Sequence, residues 1–314
     1  MVQGLLAAIA SVLVFAGVAS GQIPIPIPIV PSPDSPTAPP PPENPPPPPG
    51  PSSDPDGFPD VGDARFIDTA SGSVNALWGS RDCASRDRVT VVNRGGDPSA
   101  LADGKSQGAD RFRRLRVLDG DDFYGERCEV GLNDHRSSPT ALYREGDRLI
   151  TYISVKLSKK FPAEGDRWQV VMQMKQSQPS DSGGGRPTLA LHVYDGRWHL
   201  VDEQSELWSA PATTNRWTRL SFDVTYSGSP TGGAIRVAAD LNGDGDAHDE
   251  DERSRRIEVA TLKTEGAGTD SDGIVEGAAI PSHLRTGVYH DPGYRCSGYR
   301  CSIGIDNVGV YEPD

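Results

Sequence analysis

The stretch Trp168-Gln169-Val170-Val171-Met172-Gln173-Met174-Lys175-Gln176 has the alternation of apolar and polar side chains that is typical of a β-strand. Successive side chains of a strand point to opposite faces of a sheet, so residues two positions apart share a face. The face predicted to be buried carries Trp168, Val170, Met172 and Met174. The face predicted to be exposed carries Gln169, Val171, Gln173 and Lys175. The stretch therefore predicts a strand from a sheet with one face in the core.

Short alternating runs of the same kind recur along the chain after Asp63, separated by Gly, Asp, Asn and Pro. No window has a helical period that lasts beyond two turns. Many short strands at a spacing of roughly 8–12 residues predict an all-β fold, either a sandwich or a jelly roll. The other predicted strands are Val89–Val92, Phe112–Leu118, Arg127–Val130, Arg148–Leu157, Thr188–Tyr194, Arg197–Val201, Trp217–Tyr226, Ala234–Leu241, Ile257–Leu262, Arg285–Tyr289 and Ser302–Tyr311.

The amino-terminal part of the chain has a different composition. Leu5–Val18 is an apolar run, and it is shorter than the ~20 residues of a membrane-spanning helix. Small residues follow it, and the pattern predicts a signal peptide over residues 1–21. No Lys or Arg precedes the run, which leaves a misplaced start codon and a weak export signal as two explanations.

A proline-rich tract follows the predicted signal peptide and holds 18 of the 28 prolines, between Pro24 and Pro59. Proline fixes φ and removes a backbone donor, so the tract predicts a disordered linker over residues 22–60 and a folded domain over residues 61–314. About 35 such residues at ~3.1 Å each reach on the order of 100 Å. The chain is therefore predicted to be secreted, and a linker of this length could also span a cell wall.

The charge balance excludes some functions. The chain has 31 Lys and Arg against 44 Asp and Glu, a formal net charge of −13. Residues 1–57 contain four of the acids and none of the bases, so residues 58–314 carry a net charge of −9. Because the domain has no general basic field, we predict no nucleic-acid partner. We also predict no membrane association after signal cleavage, and a monomer, since the sequence has no feature of an oligomer.

The four cysteines, an even number in an exported chain, favour two disulfides. Three pairings are possible. Cys296 and Cys301 enclose a short loop, so the simplest pairing joins these two and joins Cys83 to Cys128. The alternative is that Cys128 is a catalytic thiol.

Polar side chains also alternate with apolar ones in Arg127–Val130, Thr188–Tyr194 and Arg285–Tyr289. If these strands and Trp168–Gln176 share one sheet, their polar faces form a groove lined with hydrogen-bond donors. Taken singly, each position is more simply explained as a solvated strand residue, and it is the coincidence of four such strands that favours the groove. The polar set is Arg127, Glu129, His192, Tyr194, Arg285 and Tyr289, together with Gln173 and Lys175.

Five motifs occur in an order that resembles one enzyme family: Glu126–Val130, Trp168–Gln176, Trp217–Val224, Leu284–Tyr289 and Ile305–Tyr311. In these segments the chain is similar to the heparin lyase I-like polysaccharide lyases, a group that includes glucuronan lyases and jelly-roll alginate lyases. The similarity spans residues 63–314 and implies a concanavalin A-like β-jelly roll sandwich of two antiparallel sheets. It also implies an enzyme that cleaves an anionic polysaccharide by β-elimination, without an organic cofactor.

The resemblance implies roles for individual residues. Arg127 and Gln173 would neutralise the carboxylate of a uronic acid. Tyr289 would be the general acid, and the resemblance leaves open whether it also acts as the base. Arg285 stands where the alginate lyases tend to have Lys. The substrate-binding face would comprise Arg285, His192, Tyr194 and Glu129.

One position departs from the family pattern. The strand motif usually reads Gln-x-His with a catalytic His, but here it reads Gln173-Met174-Lys175. Lys175 could act as a base only if burial or a nearby cation such as Arg127 lowered its pKa. Otherwise His192, on the neighbouring polar face, would take the role. The departure makes a non-catalytic carbohydrate-binding protein the alternative function.

A glycoside hydrolase is a third interpretation of the same fold. It would need two carboxylates on one strand face, roughly 5–9 Å apart. The acid-rich segments lie in predicted turns and Glu129 has no obvious partner, which argues against hydrolysis.

The acidic turn from Asp240 to Asp251 has the ligand spacing of an EF-hand or dockerin calcium loop, with the turn glycine in place. Asp replaces the usual Glu at the last ligand position, and predicted strands rather than helices flank the turn. The pattern predicts a structural calcium ion, and the alternative is an acidic hairpin tip without an ion. The predicted ligands are Asp240, Asn242, Asp244, Asp246 and Asp251.

Overall fold

The computed structural model describes residues 60–98, 110–132, 142–176, 187–203, 205–244, 247, 249–264, 277–296, 298 and 300–314. All of them belong to one compact unit, residues 51–314. The predicted signal peptide and all but the last residue of the predicted linker lie outside the described residues, so both stay predictions. None of the described helices is long and apolar enough to cross a membrane.

Two antiparallel sheets form the unit, with strands numbered in chain order. Within the described residues, the larger one, sheet A, has eight strands. Its order is β13 (Ile257–Glu258), β12 (Ala234–Ala239), β11 (Trp217–Thr225), β6 (Arg148–Leu157), β17 (Ser302–Pro313), β4 (Phe112–Arg116) and β3 (Val89–Val92), and β1 (Val61–Asp68) also pairs with β17.

Sheet B carries the predicted groove. Its order is β10 (Glu206–Pro211), β9 (Arg197–Val201), β8 (Leu189–Tyr194), β7 (Gln169–Gln176), β16 (Ser282–His290), β5 (Arg127–Gly131) and β2 (Ser80–Cys83). A small ribbon pairs β14 (Lys263–Thr264) with β15 (Ala279–Ile280), and the one described α-helix, α1, spans Val74–Leu77. Single 3-10 turns span Arg86–Arg88 and Glu250–Glu252. The arrangement confirms the predicted all-β jelly-roll sandwich.

The core lies between the sheets. Ile153 and Phe222 of sheet A and Met172 and Leu191 of sheet B are fully buried members of one hydrophobic cluster. Each such side chain contributes about 1.5–3 kcal/mol when it leaves water. The outer face of each sheet is therefore left for polar side chains.

Two disulfides cross-link this unit and confirm the predicted pairing. Cys83 is bonded to Cys128 and Cys296 to Cys301. All four cysteines are described and none is free, so the idea of a catalytic thiol at Cys128 was wrong. The first disulfide joins β2 to β5, whose Cys83 and Cys128 are direct partners in sheet B.

A β-bulge in β7 corrects part of the predicted face pattern. The pairing register shifts between Val170 and Met172 against both neighbours, β8 and β16. Against β8 the extra residue is Val171, whereas against β16 the extra residue lies in β16, between Thr286 and Tyr289. Val171 and Met172 are adjacent in sequence, yet both belong to the buried core. Residues before the bulge therefore change faces.

As a result, the prediction that Trp168 and Val170 face the core was wrong. Val170 is the direct partner of both His192 and Tyr289 and so lies on the outer face. Gln169 was predicted to be exposed but is fully buried, and its Nε2 donates a hydrogen bond to the carbonyl of Pro162 at 2.9 Å. Trp168, immediately before the strand, contacts the side chains of the groove.

Candidate active site

The structure brings the eight predicted groove residues onto one face of one sheet. Tyr289 is the direct partner of Arg127, and Arg285 is the direct partner of Gln173. Cross-strand partners point to the same face, so neighbouring strands add the others to that face. The set comprises Arg127 and Glu129 on β5, Arg285 and Tyr289 on β16, Gln173 and Lys175 on β7, and His192 and Tyr194 on β8.

Gly287 allows two strands to lie close together in the middle of this face. A Cβ at this position would overlap the carbonyl group of Cys128 and the Cα of Glu129 on the adjacent strand, and its φ is +155°. Only glycine allows β16 and β5 to approach this closely. The close approach holds the Glu129 side chain beneath the groove.

Tyr289 lies between a cation and a second aromatic ring. The Arg127 Cζ is 3.9 Å from the centroid of the Tyr289 ring, and the Arg127 Nη2 donates a hydrogen bond to the Tyr124 carbonyl at 2.7 Å. Trp168 meets Tyr289 edge-on, with ring centroids 5.1 Å apart. Sequence reasoning missed Trp168 because the bulge in β7 reverses the face on which it lies.

His192 completes this row of the groove. His192 and Tyr289 are the two cross-strand partners of Val170, so they flank its small side chain from either side. Trp168 also lies beside His192, with ring centroids 6.3 Å apart. Burial, followed by the nearby His199, lowers the pKa of His192 to about 4. His192 is therefore neutral and can accept a proton at any pH well above that value.

Glu129 is a buried carboxylate that organises its neighbours. Gln173 Nε2 donates a hydrogen bond to Glu129 Oε1 at 2.5 Å, and Arg127 Nη1 lies 3.5 Å from Oε2. Burial raises the pKa of Glu129, against the opposite effect of the charges of Arg285 and Arg127. Since Glu129 is 1% exposed, it holds Gln173 and Arg127 in place from below and is not a surface contact for a ligand.

Arg285 is held by two residues that sequence reasoning missed. Its Nη1 pairs with the Asp82 carboxylate on β2, and its Nε donates a hydrogen bond to His283 Nε2 at 3.1 Å. Burial, and then the charges of Arg285 and Lys175, lower the pKa of His283 well below its usual value. One signal was available, because His283 lies two positions before Arg285 and so shares its face.

Lys175 lies at the other end of the groove from Tyr289. Its direct partner is His283, which is six positions from Tyr289 along β16. At a rise of ~3.3 Å per residue, the two ends are roughly 20 Å apart. Burial first, then the charges of Arg285, Lys263 and Arg127, lower the pKa of Lys175 to about 8. The predicted effect of burial and a nearby cation is present, but Lys175 is not beside Tyr289.

Tyr194 extends the His192 end of the face toward the edge of the sheet. Its ring stacks on His199, with centroids 3.7 Å apart and planes 4° apart. His199 Nδ1 also contacts Glu206 Oε2 at 2.5 Å. Burial raises the pKa of Tyr194, so Tyr194 offers an aromatic surface with a neutral hydroxyl.

These observations describe a long polar groove with three cations along its length, Arg127 beside Tyr289, Arg285 beside Gln173 and Lys175 at the far end. A family model described as polysaccharide lyase matches residues 69–305. The chain belongs to this polysaccharide lyase family. The match covers the whole groove, and the narrower resemblance to the heparin lyase I-like lyases stays a prediction.

Two solved structures are similar to this chain. An endo-β-1,4-glucuronan lyase from the fungus Trichoderma reesei has a TM-score of 0.50 and 15% identity, and the match covers 80% of this chain and 96% of that one. A GH131 β-glucanase catalytic domain from Podospora anserina has a TM-score of 0.48 and 13% identity, over 82% and 97% of the two chains. No curated protein matches the chain significantly. The likeness to the glucuronan lyase structure shows a shared fold.

The structure also bears on the distinction between a polysaccharide lyase and a hydrolase. The expectation that Glu129 has no carboxylate partner was wrong, because Asp82 is its direct partner across β2 and β5. Asp82 is, however, paired with Arg285, and Glu129 is hydrogen-bonded to Gln173. Both carboxylates are thus engaged in holding other side chains of the groove in this lyase family member, Asp82 with Arg285 and Glu129 with Gln173 and Arg127.

The acidic turn is described in part. Gly243 N donates a hydrogen bond to Asp240 Oδ1, and Asn242 Nδ2 contacts both Asp244 and Asp249 at 3.0 Å. Asp246 lies outside the described residues, and Asp251 is exposed. The neighbouring Glu252 is 1% exposed, and its Oε1 accepts hydrogen bonds from the backbone of Leu241 and Asn242. Its Oε2 is buried without a hydrogen-bond partner.

Proposed function

We propose that this chain is a secreted enzyme that cleaves a uronic-acid-containing polysaccharide by β-elimination on the outer face of sheet B. The observation that carries the proposal is the row formed by Arg127, Tyr289 and His192 in a polysaccharide lyase family member. This row combines a cation, a hydroxyl group and a neutral imidazole. The two disulfides support export, since disulfides persist in oxidising compartments.

The chemistry of elimination needs these three groups together. The C5 proton of a uronic acid is weakly acidic while its carboxylate is ionised, so a cation must first bind the carboxylate. A base then removes the C5 proton, and the electron pair forms the C4–C5 double bond as the C4–O bond breaks. An acid gives its proton to the leaving oxygen. The products are a new hydroxyl end and an unsaturated uronate.

We assign the roles within the row by charge and position. Arg127 binds the carboxylate, with the second N–H of Gln173 Nε2 as a further donor. His192, neutral above a pKa of about 4, accepts the C5 proton. Tyr289 donates its proton to the leaving oxygen. This assignment prefers His192 over Lys175 as the base, because Lys175 lies at the opposite end of the groove.

Lys175 then has a binding role. Together with Arg285 it gives the far end of the groove a positive charge that suits a second uronate along the same polysaccharide chain. The length of the groove, roughly 20 Å between its two ends, would accommodate several sugar units. Arg285 and His283 position the chain rather than react with it.

The experiment that tests the proposal is an assay of the domain on glucuronan, alginate, heparin and hyaluronan. Elimination produces an unsaturated uronate that absorbs in the ultraviolet, and each cleavage produces one reducing end. Equal numbers of both products support the proposal. Reducing ends without ultraviolet absorbance would mean hydrolysis and would reject it.

The alternative is a non-catalytic carbohydrate-binding protein. The observation that favours it is Lys175 at the position where the family has a catalytic His. It predicts that the domain binds one of the four polysaccharides without producing either reducing ends or absorbance.

We also propose that the Asp240–Asp251 turn binds a structural calcium ion. The buried, unpartnered Oε2 of Glu252 supports this, because such an oxygen costs stability unless a proton or a cation satisfies it. Calcium prefers carboxylate and amide oxygens of this kind. In this proposal Glu252 joins Asp240, Asn242, Asp244 and Asp246 as a ligand and takes the place that the sequence assigned to Asp251.

A further inference from the structure

The outer face of sheet A carries a depression of about 390 Å³. Since the inner faces of the two sheets enclose the core, this depression and the groove of sheet B lie on opposite sides of the sandwich. One row of direct cross-strand partners runs across this face: Trp217, Lys156, Gly304, Arg114 and Thr90. Cross-strand partners share a face, so these side chains all point outward.

The depression is positively charged in an acidic protein. Among the described residues that line it there are four cations and no carboxylate, although the whole chain has a net charge of −13. Asp306 lies in the adjacent row as the partner of Ser154, and Asp97 contacts that row through the Ser154 hydroxyl. The two residues are only 3% and 6% exposed. The four cations are Arg94, Arg114, Lys156 and Lys159.

One aromatic ring, Phe112, lines the depression, and a second, Trp217, packs against it. Phe112 and Trp217 meet edge-on, with ring centroids 5.5 Å apart. A Cβ at Gly304 would come within 2.8 Å of the Phe112 ring and 3.0 Å of the Trp217 ring, so glycine allows both rings to lie over β17. Arg114 Cζ is 5.5 Å from the Phe112 centroid, and Lys156 Nζ is 5.6 Å from the Trp217 centroid. The cations are thus interleaved with the rings.

We propose that this depression is a second binding site for the acidic polysaccharide, separate from the groove of sheet B. Arg and Lys side chains would pair with uronate carboxylates, and the aromatic rings would contact the apolar face of a sugar ring. The choice of a uronic-acid chain as ligand rests on the proposed function, whereas the charge and the aromatic rings do not depend on it.

Two sites on opposite sides of one domain have a specific consequence. A long polysaccharide can occupy both and gain affinity from the second contact, whereas a short oligosaccharide occupies each site independently. The second site would keep a polymer attached while the groove releases a product. Its effect should therefore appear with polymeric substrate and be absent with short oligosaccharides.

The test uses the double variant Lys156→Glu/Lys159→Glu in the full chain, with Tyr289→Phe added to prevent turnover. Isothermal titration calorimetry with a glucuronate tetrasaccharide and with polymeric glucuronan gives stoichiometry and affinity. We expect two tetrasaccharides per chain without the double change and one with it, and a polymer affinity that falls roughly tenfold or more. Lys160→Glu is the matched control, because Lys160 is an exposed neighbour that does not line the depression, and it should keep both sites.

Three results would overturn the proposal: one tetrasaccharide per chain before the double change, an equal loss in Lys160→Glu, or equally tight binding of a single-stranded oligonucleotide. Thermal unfolding of the variants should match that of the parent, because the changes are at the surface. Failure of the proposed lyase function can be distinguished from failure of this second-site proposal. If the Tyr289→Phe chain binds two tetrasaccharides and loses one in the double variant, while the parent chain with Tyr289 intact produces no unsaturated uronate, this site stands and the protein is not a lyase.

Discussion

Arg127 lies 3.9 Å from the ring centroid of Tyr289, and the two residues are direct partners across β5 and β16. The same guanidinium lies 3.5 Å from the buried Glu129 carboxylate. Backbone pairing therefore fixes two groups in one row. The Arg127 cation would bind the uronate carboxylate, and the Tyr289 hydroxyl would protonate the leaving oxygen. Positions that are set by strand register are rigid, and general acid catalysis requires reacting groups in fixed positions.

Replacement of Tyr289 by Phe should abolish elimination while the protein stays folded. The change removes one hydroxyl and keeps the ring that packs against Arg127 and Trp168, and loss of a general acid costs about 10²–10⁴-fold in kcat. The measurement is the initial rate of ultraviolet absorbance on the best of the four polysaccharides. Tyr152→Phe, on the outer face of sheet A, is the control and should keep the parent rate. Activity of Tyr289→Phe within threefold of the parent would remove Tyr289 from the mechanism.

The identity of the base should be visible in the pH dependence. If His192 accepts the proton, kcat/KM should rise with an apparent pKa near 4 and be level above it, since the imidazole is then neutral. If Lys175 accepts it, kcat/KM should keep rising to a pH of about 8, where the amine loses its proton. His192→Ala should reduce kcat by about 10²–10⁴-fold. Lys175→Ala should mainly raise KM, and the reverse pattern would assign the base to Lys175.

Gly287→Ala should destabilise the fold. The added methyl group overlaps the Cys128 carbonyl in the neighbouring strand, and overpacking of this kind costs about 1–3 kcal/mol in the free energy of unfolding. Thermal unfolding should show a lower Tm than for Gly120→Ala, which has a positive φ of +82° but nothing within 4 Å of the added Cβ. Equal Tm values for the two variants would show that the strands can separate at no cost.

Asp306 should make stability depend on pH. Burial raises the pKa of its carboxyl to about 7, against the opposing hydrogen bonds from the backbone of Asp97 and Asn307. The native state then holds the proton more tightly than the unfolded chain, so the free energy of unfolding should fall as pH rises from about 4 to 7. Urea unfolding across this range should show a flatter dependence for Asp306→Asn. Parallel curves for the variant and the parent would contradict the prediction.

Calcium should raise the Tm of the full chain, and a chelator should reverse the effect. A ligand that binds only the native state stabilises it by an amount that grows with the logarithm of the ligand concentration relative to Kd. Glu252→Gln should weaken the response, because the amide is a poorer ligand for calcium than the carboxylate. Glu258→Gln, an exposed position on β13, should respond as the parent does. A Tm that is indifferent to calcium in the parent would reject the calcium site.

Much of the fold could be predicted from local pattern. The bounds of β3, β6 and β9 agree with the predicted strands residue for residue, because the period of two along a strand is a local property. The same pattern assigned His192 and Tyr194 to the polar face of β8. It missed β2, whose four residues include three polar ones and which is attached to the sheet by the Cys83–Cys128 disulfide and by pairing with β5.

The sequence by itself determined that the chain is all-β, which residues could form a polar face, and how its cysteines most simply pair. Only the tertiary structure decided that Trp168 faces the groove, that His283 and Asp82 hold Arg285, and that Lys175 lies far from Tyr289. The reason is physical. Side-chain alternation follows from each strand's own backbone. The position of a bulge, the pairing register and the identity of each cross-strand neighbour depend instead on hydrogen bonds between strands that are distant in sequence, and on the packing of a common core.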